Sequence, residues 1–171
     1  MIALFVCRLQ PMHKGHLHAI KKILEKYDSV LIAVGSSNAS RQRSNPFSFP
    51  ERKQMTTEVL EKEGLLDKCK IIGIPDIPDD EKWAEEIKKY DFDVVVTGND
   101  WTRKCLEADY EIVLPDFLEP EKYNATRIRN IIRLRGSWDH LVPQSVYEFV
   151  KKMLDSGEAK IDGVVEKTMD W

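Results

Sequence analysis

The stretch Cys7-Arg8-Leu9-Gln10-Pro11-Met12-His13-Lys14-Gly15-His16 joins an apolar run, Ile2-Ala3-Leu4-Phe5-Val6, to a segment in which apolar residues recur at helical spacing. The run predicts a buried strand, and the spacing of Leu17, Ile20, Ile23 and Leu24 predicts a helix that begins near Lys14. Ligands of open α/β sheets bind at the carboxyl ends of the strands, where helix N-termini attract anions. The stretch therefore predicts an anion-binding turn between a strand and a helix.

His13 and His16 are three residues apart, so both side chains point the same way from the first turn of the predicted helix. Each imidazole offers an N–H donor, and the pair is suited to one phosphate group. Two other interpretations stay open: both are surface histidines beside a turn eased by Gly15, or they form a zinc site with His18. The zinc interpretation is weaker, because His18 lies on another side of the helix with no cysteine or acid close to it in sequence.

The composition is that of a globular protein without a strong charge bias. Of 171 residues, 42% are hydrophobic and 32% are charged, and the formal net charge is −3. This size suits a single domain over 1–171, with a core over 1–136 and a C-terminal helix and tail over 137–171. The net charge gives no broad basic face for duplex nucleic acid, and we expect no nucleic-acid partner.

The cysteines and the apolar runs indicate the cellular setting. Cys7, Cys69 and Cys105 are scattered and odd in number, which favours a reducing compartment over a disulfide framework. The apolar runs in the sequence are too short to span a bilayer, and residues 1–6 lack the basic region of a signal peptide. We expect a cytoplasmic protein without a membrane association.

Apolar runs alternate with helical patterns along the chain, which predicts an α/β fold, doubly wound, with a parallel sheet of about five strands. The predicted strands are 2–6, 29–35, 70–75, 93–99 and 111–115. Helices are predicted from Lys14, from Ser48 to about Lys62, around Trp83 and Ile87, from Asn124 to a stop at Gly136, and from Pro143 to Leu154. The spacing of Ser48 and Glu51 is that of a capping box. The polar tail from Asp155 to Trp171 predicts no element, and Trp171 is either a subunit contact or a loose end.

A second segment, Asn124-Ala125-Thr126-Arg127-Ile128-Arg129, combines a helix start with two arginines. Backbone amides at a helix start attract anions, and guanidinium groups bind phosphate oxygens in pairs. An ordinary basic helix face is the competing interpretation. Two shorter segments also carry polar residues at a strand end or a helix start: Thr97-Gly98-Asn99, and Asn45-Pro46-Phe47 with Glu51-Arg52.

These segments resemble the signatures of a known superfamily. The strings R-x-Q-P-x-H-K-G-H and N-A-T-R-I-R resemble the two signatures of the H-x-G-H nucleotidyltransferases, and the first is similar to archaeal-type nicotinamide-mononucleotide adenylyltransferases in particular. The resemblance covers 2–154 and implies a Rossmann-like fold. It implies an enzyme that joins ATP and nicotinamide mononucleotide to give NAD and pyrophosphate. It also implies Mg²⁺ bound mainly through ATP, and a homo-oligomer.

The resemblance implies three sets of site residues. The catalytic set is His13, His16 and Arg129. The ATP-binding set is Arg8, Gln10, Lys14, Gly15, Gly98, Asn99, Asn124, Thr126 and Arg129. The acceptor-binding set is Asp80, Trp83, Arg43 and Arg52. No residue is assigned to a metal.

Several residues depart from the family pattern or have a second interpretation. Asp80 stands where the family has an asparagine for the acceptor's carboxamide, and Cys7 and Met12 replace a glycine and a phenylalanine. Trp83 either stacks on the nicotinamide ring or belongs to the core. Arg52 either contacts a phosphate or forms an ion pair on the helix surface.

Alternative functions also stay open. A nucleotidyltransferase of the same fold could use FMN, pantetheine phosphate or a polyol phosphate as the acceptor. A protein without catalytic activity could bind ATP or NAD as a regulator. Class I aminoacyl-tRNA synthetases share the H-x-G-H string, but this sequence is short and shows no anticodon-binding domain.

Overall fold

Five parallel strands form the sheet of this protein: β1 Ile2–Cys7, β2 Ser29–Val34, β3 Cys69–Gly73, β4 Val94–Val96 and β5 Glu111–Val113. The computed structural model describes residues 1–167 of the 171-residue chain. The strands lie in the order β3-β2-β1-β4-β5, and every neighbouring pair is parallel. In the register, Ala3 of β1 lies between Val30 and Val94. The predicted α/β fold with a parallel sheet is confirmed.

Among the described residues, six α-helices connect or follow the strands: α1 Lys14–Leu24, α2 Phe49–Lys62, α3 Asp80–Ile87, α4 Asp100–Leu106, α5 Ala125–Arg133 and α6 Gln144–Ser156. Short 3-10 helices lie at Leu66–Lys68 and Asp139–Leu141. The sequence analysis missed α4, whose seven residues are too few to show helical periodicity. None of the helices described in residues 1–167 is long and apolar enough to cross a membrane.

Strand β1 is covered on both faces, because its residues alternate between two apolar clusters. Ala3 and Phe5 face the cluster that contains residues of α1, α2, α5 and α6. Leu4 faces the cluster that contains residues of α3 and α4. A strand that is buried on both sides has apolar residues at every position, which explains the continuous apolar run in the sequence.

The helix boundaries agree with the predicted caps, with one exception. The Ser48 hydroxyl accepts a hydrogen bond from the N–H of Glu51 (3.4 Å), and the Glu51 carboxylate accepts one from the N–H of Ser48 (2.8 Å), so the capping box is present. At the end of α5, the residue in the left-handed region is Arg135, with a φ of 55°. Gly136 follows it, and its N–H donates to the carbonyl of Ile131 (2.8 Å). The helix therefore ends where the sequence predicts it to end, but the left-handed residue is Arg135 and not the predicted Gly136.

The polar tail folds back on the body of the protein. Its first two residues, Asp155 and Ser156, complete α6, and residues 157–167 form neither helix nor strand. Ala159 and Ile161 are nevertheless buried in the same cluster as α6. The Arg133 Nε of α5 donates to the carbonyl of Asp162 (3.0 Å). Trp171 lies outside the described residues. Apolar contacts and side-chain donors thus hold a segment for which the sequence predicts no element.

Candidate active site

An open cavity of about 630 Å³ lies at the carboxyl ends of β1, β2 and β4. Its lining includes Arg8 at the end of β1, Ser36 after β2, the segment 97–102 after β4, and the side chains of Trp83 and Phe117. Because β1 lies between β2 and β4, the order of the strands reverses here. Doubly wound sheets bind their ligands at such a switch point, and this volume is typical of small-molecule sites.

His13 and His16 form a stacked pair at the N-terminus of α1. Their ring centroids are 3.7 Å apart, with an angle of 30° between the planes. The Nδ1 of His13 accepts the N–H of Gly15 (3.1 Å), and the Nδ1 of His16 accepts the N–H of His13 (3.1 Å). A neutral imidazole carries one proton, so each ring has its N–H at Nε2. Both rings therefore have the same tautomer, and the structure brings the two predicted N–H donors together.

Both imidazoles are buried, at 0% and 1% exposure for His13 and His16. Burial lowers the pKa of His16 from 6.5 to about 3. Burial, together with the neighbouring His16 ring, lowers the pKa of His13 well below its ordinary value. The pair is therefore neutral near pH 7 and consists of hydrogen-bond donors, not of cations. The interpretation as surface histidines is wrong.

Gly15 is required by the stacked pair. A Cβ at this position would lie 2.9 Å from the Cε1 and Nδ1 atoms of His13 and 3.1 Å from the Cβ of Tyr123. Any side chain here would displace the His13 ring from the N-terminus of α1. The structure therefore gives Gly15 a packing role, whereas the adjacent Lys14 is exposed as the first residue of α1.

The zinc interpretation has no ligand set in the part of the chain that the structure describes. Residues 1–167 contain no group of three His, Cys, Asp or Glu side chains that could hold a metal ion. His18 lies apart from the stacked pair and contacts the carboxylate of Asp116 (3.0 Å).

The two predicted motif segments meet. The Arg129 guanidinium donates from Nη1 to the carbonyl of Gln10 (2.7 Å) and from Nη2 to the hydroxyl of Thr126 (3.2 Å). Asn124 caps α5, since its side-chain oxygen accepts the N–H of Arg127 (3.1 Å). Thr126 and Arg129 are fully buried. The N-termini of α1 and α5 are thereby joined by one guanidinium group.

The Gln10 side chain holds the loop before α2. Its Nε2 donates to the carbonyl of Phe47 (2.9 Å), and its Oε1 accepts the N–H of the same residue (3.0 Å). Both ends of the amide are thus used within the protein. Gln10 therefore positions the turn between β1 and α1 against the loop before α2.

Glu166 is a site residue that the sequence analysis missed. Its carboxylate accepts hydrogen bonds from Arg129 Nε (2.8 Å) and Nη2 (2.9 Å), Arg133 Nη1 (2.6 Å) and Ser44 Oγ (2.6 Å). Asn130 holds the backbone of Glu166 through both its N–H (2.8 Å) and its carbonyl (3.0 Å). Burial raises the carboxyl pKa, but the donors from Arg129, Ser44 and Arg133 outweigh it and lower the pKa to about 2. The Glu166 carboxylate thus accepts hydrogen bonds from Arg129, the guanidinium group that was predicted to bind phosphate.

Arg8 lies between the cavity and the docked tail. It lines the cavity, and it also lines the surface formed with Ser44 and residues 164–167. Burial and the nearby Arg129 guanidinium lower its pKa, and the Glu166 carboxylate opposes this. The predicted cationic groups of the two segments are therefore close enough to influence each other.

Arg52 does not form an ion pair on the helix surface, because its side chain is buried. Its side chain is 0% exposed, and its guanidinium donates to the carbonyls of Arg8 (2.8 Å), Gly35 (2.8 Å) and Ser36 (2.9 Å). Burial lowers its pKa to about 10. These carbonyls follow the ends of β1 and β2, where the hydrogen bonds of the sheet stop. Arg52 supplies their donors and thereby joins the two strand ends. The interpretation as a surface ion pair is wrong, whereas the predicted contact with the acceptor stays a prediction.

Arg43 and Asp80, two residues of the predicted acceptor set, each contact another part of the protein. Arg43 donates to the carbonyls of Val164 and Val165 in the tail. Asp80 is half-buried, and its carboxylate accepts a hydrogen bond from Trp101 Nε1 (2.8 Å). Each side chain thus binds another part of the protein, outside the lining described for the cavity.

The turn after β4 contributes Gly98 and Asn99 to the cavity. A Cβ on Gly98 would lie 2.5 Å from Cζ of Phe117, so the glycine admits this aromatic ring. The side-chain oxygen of Asn99 accepts the N–H of Thr102 (2.9 Å) and caps α4. Trp83 both lines the cavity and belongs to the apolar cluster beneath it, so its two interpretations are compatible.

The sequence of residues 4–151 matches the family described as cytidylyltransferase-like. The nicotinamide-nucleotide adenylyltransferase of Pyrobaculum arsenaticum is 40% identical over 156 residues, covering 88% of this chain and 87% of that protein. The protein of the same name from Saccharolobus solfataricus is 37% identical over 166 residues, covering 95% of each.

Solved structures are similar in fold. A bifunctional NMN adenylyltransferase/ADP ribose pyrophosphatase from Francisella tularensis, complexed with AMP and a Mn ion, has a TM-score of 0.78 and 27% identity. The match covers 90% of this chain and 49% of that one, so this chain spans about half the length of the bifunctional enzyme. A putative nicotinate-nucleotide adenylyltransferase from Vibrio parahaemolyticus, with a TM-score of 0.60 and 19% identity, shares the fold.

The buried histidines predict a loss of stability in mild acid. Their folded pKa values lie below the unfolded value of 6.5, so the unfolded chain takes up protons first as the pH falls. The stability that they contribute is complete above this value and is lost as the pH falls below it. For His16, the free energy of unfolding should fall by about 2 kcal/mol between about pH 7 and pH 5. Urea unfolding at the two pH values measures this change.

The His16→Asn variant should show a smaller decrease over this range, because it removes one of the two buried imidazoles whose pKa is lowered. Glu166 does not interfere, because its pKa is lowered from 4.5 to about 2, and its contribution is lost only below this window. An equal decrease in wild type and His16→Asn would show that the imidazole is not held neutral.

The buried contacts of Arg52 predict a large loss of stability when its guanidinium is removed. The Arg52→Met change removes the donors to three strand-end carbonyls and should lower the free energy of unfolding by on the order of 3 kcal/mol. The control is Arg41→Met, which breaks a more exposed ion pair with Glu51 and should cost less than about 1 kcal/mol. Urea unfolding of both variants measures the two losses in the free energy of unfolding. Equal losses would mean that the Arg52 contacts contribute no more than a surface pair.

Proposed function

The chain belongs to the cytidylyltransferase-like family, whose match covers residues 4–151, and we propose that it transfers the adenylyl group of ATP to nicotinamide mononucleotide. The products are NAD and pyrophosphate. Relatives that are 40% and 37% identical over most of both chains carry the name of this activity. The observation that carries the proposal is the stacked, neutral His13–His16 pair at the N-terminus of α1, beside the guanidinium of the second motif segment.

The chemistry of adenylyl transfer requires positioning and charge stabilisation but no nucleophile from the enzyme. A phosphate oxygen of the acceptor attacks the α-phosphorus of ATP. The bond from this phosphorus to the bridging oxygen breaks, and pyrophosphate leaves with the electron pair. Donors that bind the phosphate oxygens more tightly as charge moves to the leaving group lower the barrier.

The stacked imidazoles supply such donors. In the proposed complex, Nε2–H of His13 and of His16 bind oxygens of the α- and β-phosphates. The rings are neutral, so they donate without the cost of burying two cations. The dipole of α1 adds partial positive charge at the same place. Lys14, Arg8, Thr126 and Arg129 are proposed to bind the remaining phosphate oxygens.

A divalent ion fits this site as part of the nucleotide. The carboxylates in the cavity lining belong to separate elements: Asp76 lies in the loop after β3, and Asp100 begins α4. Asp76 accepts a hydrogen bond from the Ser36 hydroxyl (2.9 Å). This set suits an ion that brings most of its oxygen ligands with it, and we propose Mg²⁺ bound through ATP. The ion neutralises phosphate charge.

The docked tail has to move for Arg129 to take part. With Glu166 in place the Arg129 side chain is 0% exposed, and its Nε and Nη2 both bind the carboxylate. We propose that a phosphate of ATP replaces the Glu166 carboxylate on Arg129 and Arg133. A carboxylate and a phosphate offer the same paired oxygens to a guanidinium, so the exchange conserves its hydrogen bonds.

The proposed activity predicts NAD formation from ATP and nicotinamide mononucleotide, with release of pyrophosphate. His16→Asn retains an acceptor for the His13 N–H but lacks a donor at the position of Nε2, so kcat should fall by about 100-fold or more. Mass spectrometry of products identifies the acceptor when FMN, pantetheine phosphate and a polyol phosphate are supplied in parallel with ATP.

Circular dichroism and the unfolding midpoint of His16→Asn serve as the folding control. NAD formation at the wild-type rate by this variant would remove the imidazole pair from the mechanism. Product from another acceptor, with none from nicotinamide mononucleotide, would identify a different nucleotidyltransferase. ATP binding without pyrophosphate release would identify a regulator.

The tail exchange predicts that Glu166→Gln binds ATP more tightly. A neutral amide competes less well than a carboxylate for two guanidinium groups, so KM for ATP should fall several-fold with kcat within about twofold. Steady-state kinetics over ATP concentration measures this. The matched control, Glu158→Gln, changes an exposed tail acid that contacts Ser156 and should leave KM unchanged. An increase in KM for ATP in Glu166→Gln would show that Glu166 positions the arginines for ATP instead.

A further inference from the structure

Two further cavities lie beside the cavity at the strand ends. A cleft of about 490 Å³ shares Arg8 with that cavity and is also lined by Arg43, Ser44 and residues 164–167 of the tail. Another cavity, of about 530 Å³, shares Arg43 and Val164 with the cleft. We call this the outer cavity, and the cleft and the outer cavity together the cationic path. Both volumes are typical of small-molecule sites.

We propose that the cationic path binds linear inorganic polyphosphate, with one end of the chain on Arg129. The inference rests on the proposed function, in which a phosphate of ATP replaces the Glu166 carboxylate on the same guanidinium. From Arg129 the chain extends through the cleft into the outer cavity. Because both ligands use Arg129, polyphosphate competes with ATP.

The contacts of Glu166 show how closely the cations are spaced. Its Oε2 atom accepts hydrogen bonds from Arg129 Nε (2.8 Å) and Arg133 Nη1 (2.6 Å), so one oxygen bridges two guanidinium groups. Arg129 also donates to the carbonyl of Gln10 in the first motif segment (2.7 Å), whereas Arg133 lines the outer cavity. A phosphate that replaces the carboxylate on Arg129 is therefore within reach of a cation of the outer cavity.

Two cations of the outer cavity have no carboxylate bound to them in the part of the chain that the structure describes. Within residues 1–167, the contacts of the Arg43 guanidinium are with the carbonyls of Val164 and Val165. Lys160 is exposed and forms no ion pair with a residue of this range. Neutral carbonyls do not cancel the charge of a guanidinium group, so both cations are suited to a polyanion.

Cations outnumber carboxylates along the cationic path. The charged residues that line the outer cavity are Arg41, Arg43, Arg133, Lys160, Glu158 and Asp162. The cleft adds Arg8, Lys167 and Glu166. Glu51 pairs with Arg41 from outside this lining. With Glu51 counted, the path still has an excess of positive charge, in a chain whose formal net charge is −3. Displacement of Glu166 increases this excess.

The lining favours a ligand made of phosphates alone. Among residues 1–167, the cationic path is lined by no aromatic side chain, and the carboxylates of Asp76 and Asp100 belong to the cavity at the strand ends. Proteins that bind single-stranded nucleic acids stack the bases on aromatic side chains. Guanidinium groups bind phosphate oxygens in pairs. A chain of phosphates without bases therefore matches this surface better than a nucleic acid does.

Competition with bound ATP tests the proposal, by calorimetry on the full chain at one fixed Mg²⁺ concentration. The probes are pyrophosphate, tripolyphosphate and a longer linear polyphosphate, and each should displace ATP. The Kd should fall by about tenfold from pyrophosphate to the longer polyphosphate, because the longer chain reaches the cations of the outer cavity.

Variants of Lys160 show whether the outer cavity supplies this gain. Lys160→Glu should raise the Kd of the longer polyphosphate by about tenfold, with the Kd of pyrophosphate and the KM for ATP within about twofold. Lys160→Gln should cause a smaller loss, and Lys160→Arg should retain wild-type affinity. The matched control is Lys68→Glu, the same charge change at an exposed lysine just before β3 that does not line the path. It should change the Kd by less than about twofold.

An affinity that does not increase with chain length, or equal losses from Lys160→Glu and Lys68→Glu, would overturn the proposal. Binding of the longer polyphosphate without displacement of ATP would also overturn it, since the chain would then lie away from Arg129. An oligothymidylate of similar length that displaces ATP equally well would replace the inorganic ligand by a nucleic acid. These titrations decide the polyphosphate site whether or not turnover is seen, whereas the NAD assay decides the proposed function.

Discussion

Two backbone hydrogen bonds at the start of α1 determine the state of the whole site. The N–H groups of Gly15 and His13 donate to the Nδ1 atoms of His13 and His16. They fix the tautomer and the direction of both rings, and burial keeps the rings neutral. The missing Cβ of Gly15 provides the space for this arrangement. A helix N-terminus thus carries two paired donors without the cost of two buried cations.

The buried cations of the site are balanced by oxygen atoms of the protein. Arg52 binds carbonyls at the ends of β1 and β2, which belong to the sheet. Arg129 binds a carboxylate on the tail, and Asn130 binds the backbone of the same residue. The Arg52 guanidinium, whose acceptors are fixed by the sheet, stabilises the fold. A cation held by the replaceable Glu166 carboxylate is suited to a ligand with similar oxygens.

The sequence predicted those parts that depend on local pattern. Apolar periodicity identified the strands and the longer helices, and the spacing of Ser48 and Glu51 identified a cap. The stacking of His13 and His16 follows from their separation on one helix turn. Glu166 could not be predicted in this way, because it lies 37 positions from Arg129, in a segment with no periodic pattern.

The contacts that the sequence analysis did not predict have a common physical cause. Arg52, Gln10 and Asp80 were assigned to ligands because their residue types bind phosphates or amides. Each of them instead satisfies polar groups of the protein: strand-end carbonyls, the backbone of Phe47 and the indole of Trp101. Contacts between residues far apart in sequence decide whether such a side chain binds a ligand or the protein, and a single sequence does not show these contacts.

Nitrogen-15 NMR of the imidazoles tests the central claim most directly. We predict that His13 and His16 are both neutral, with the proton on Nε2, from about pH 7 down to about pH 5. A proton on Nδ1 of either ring, or titration near the ordinary pKa of histidine, would contradict the account.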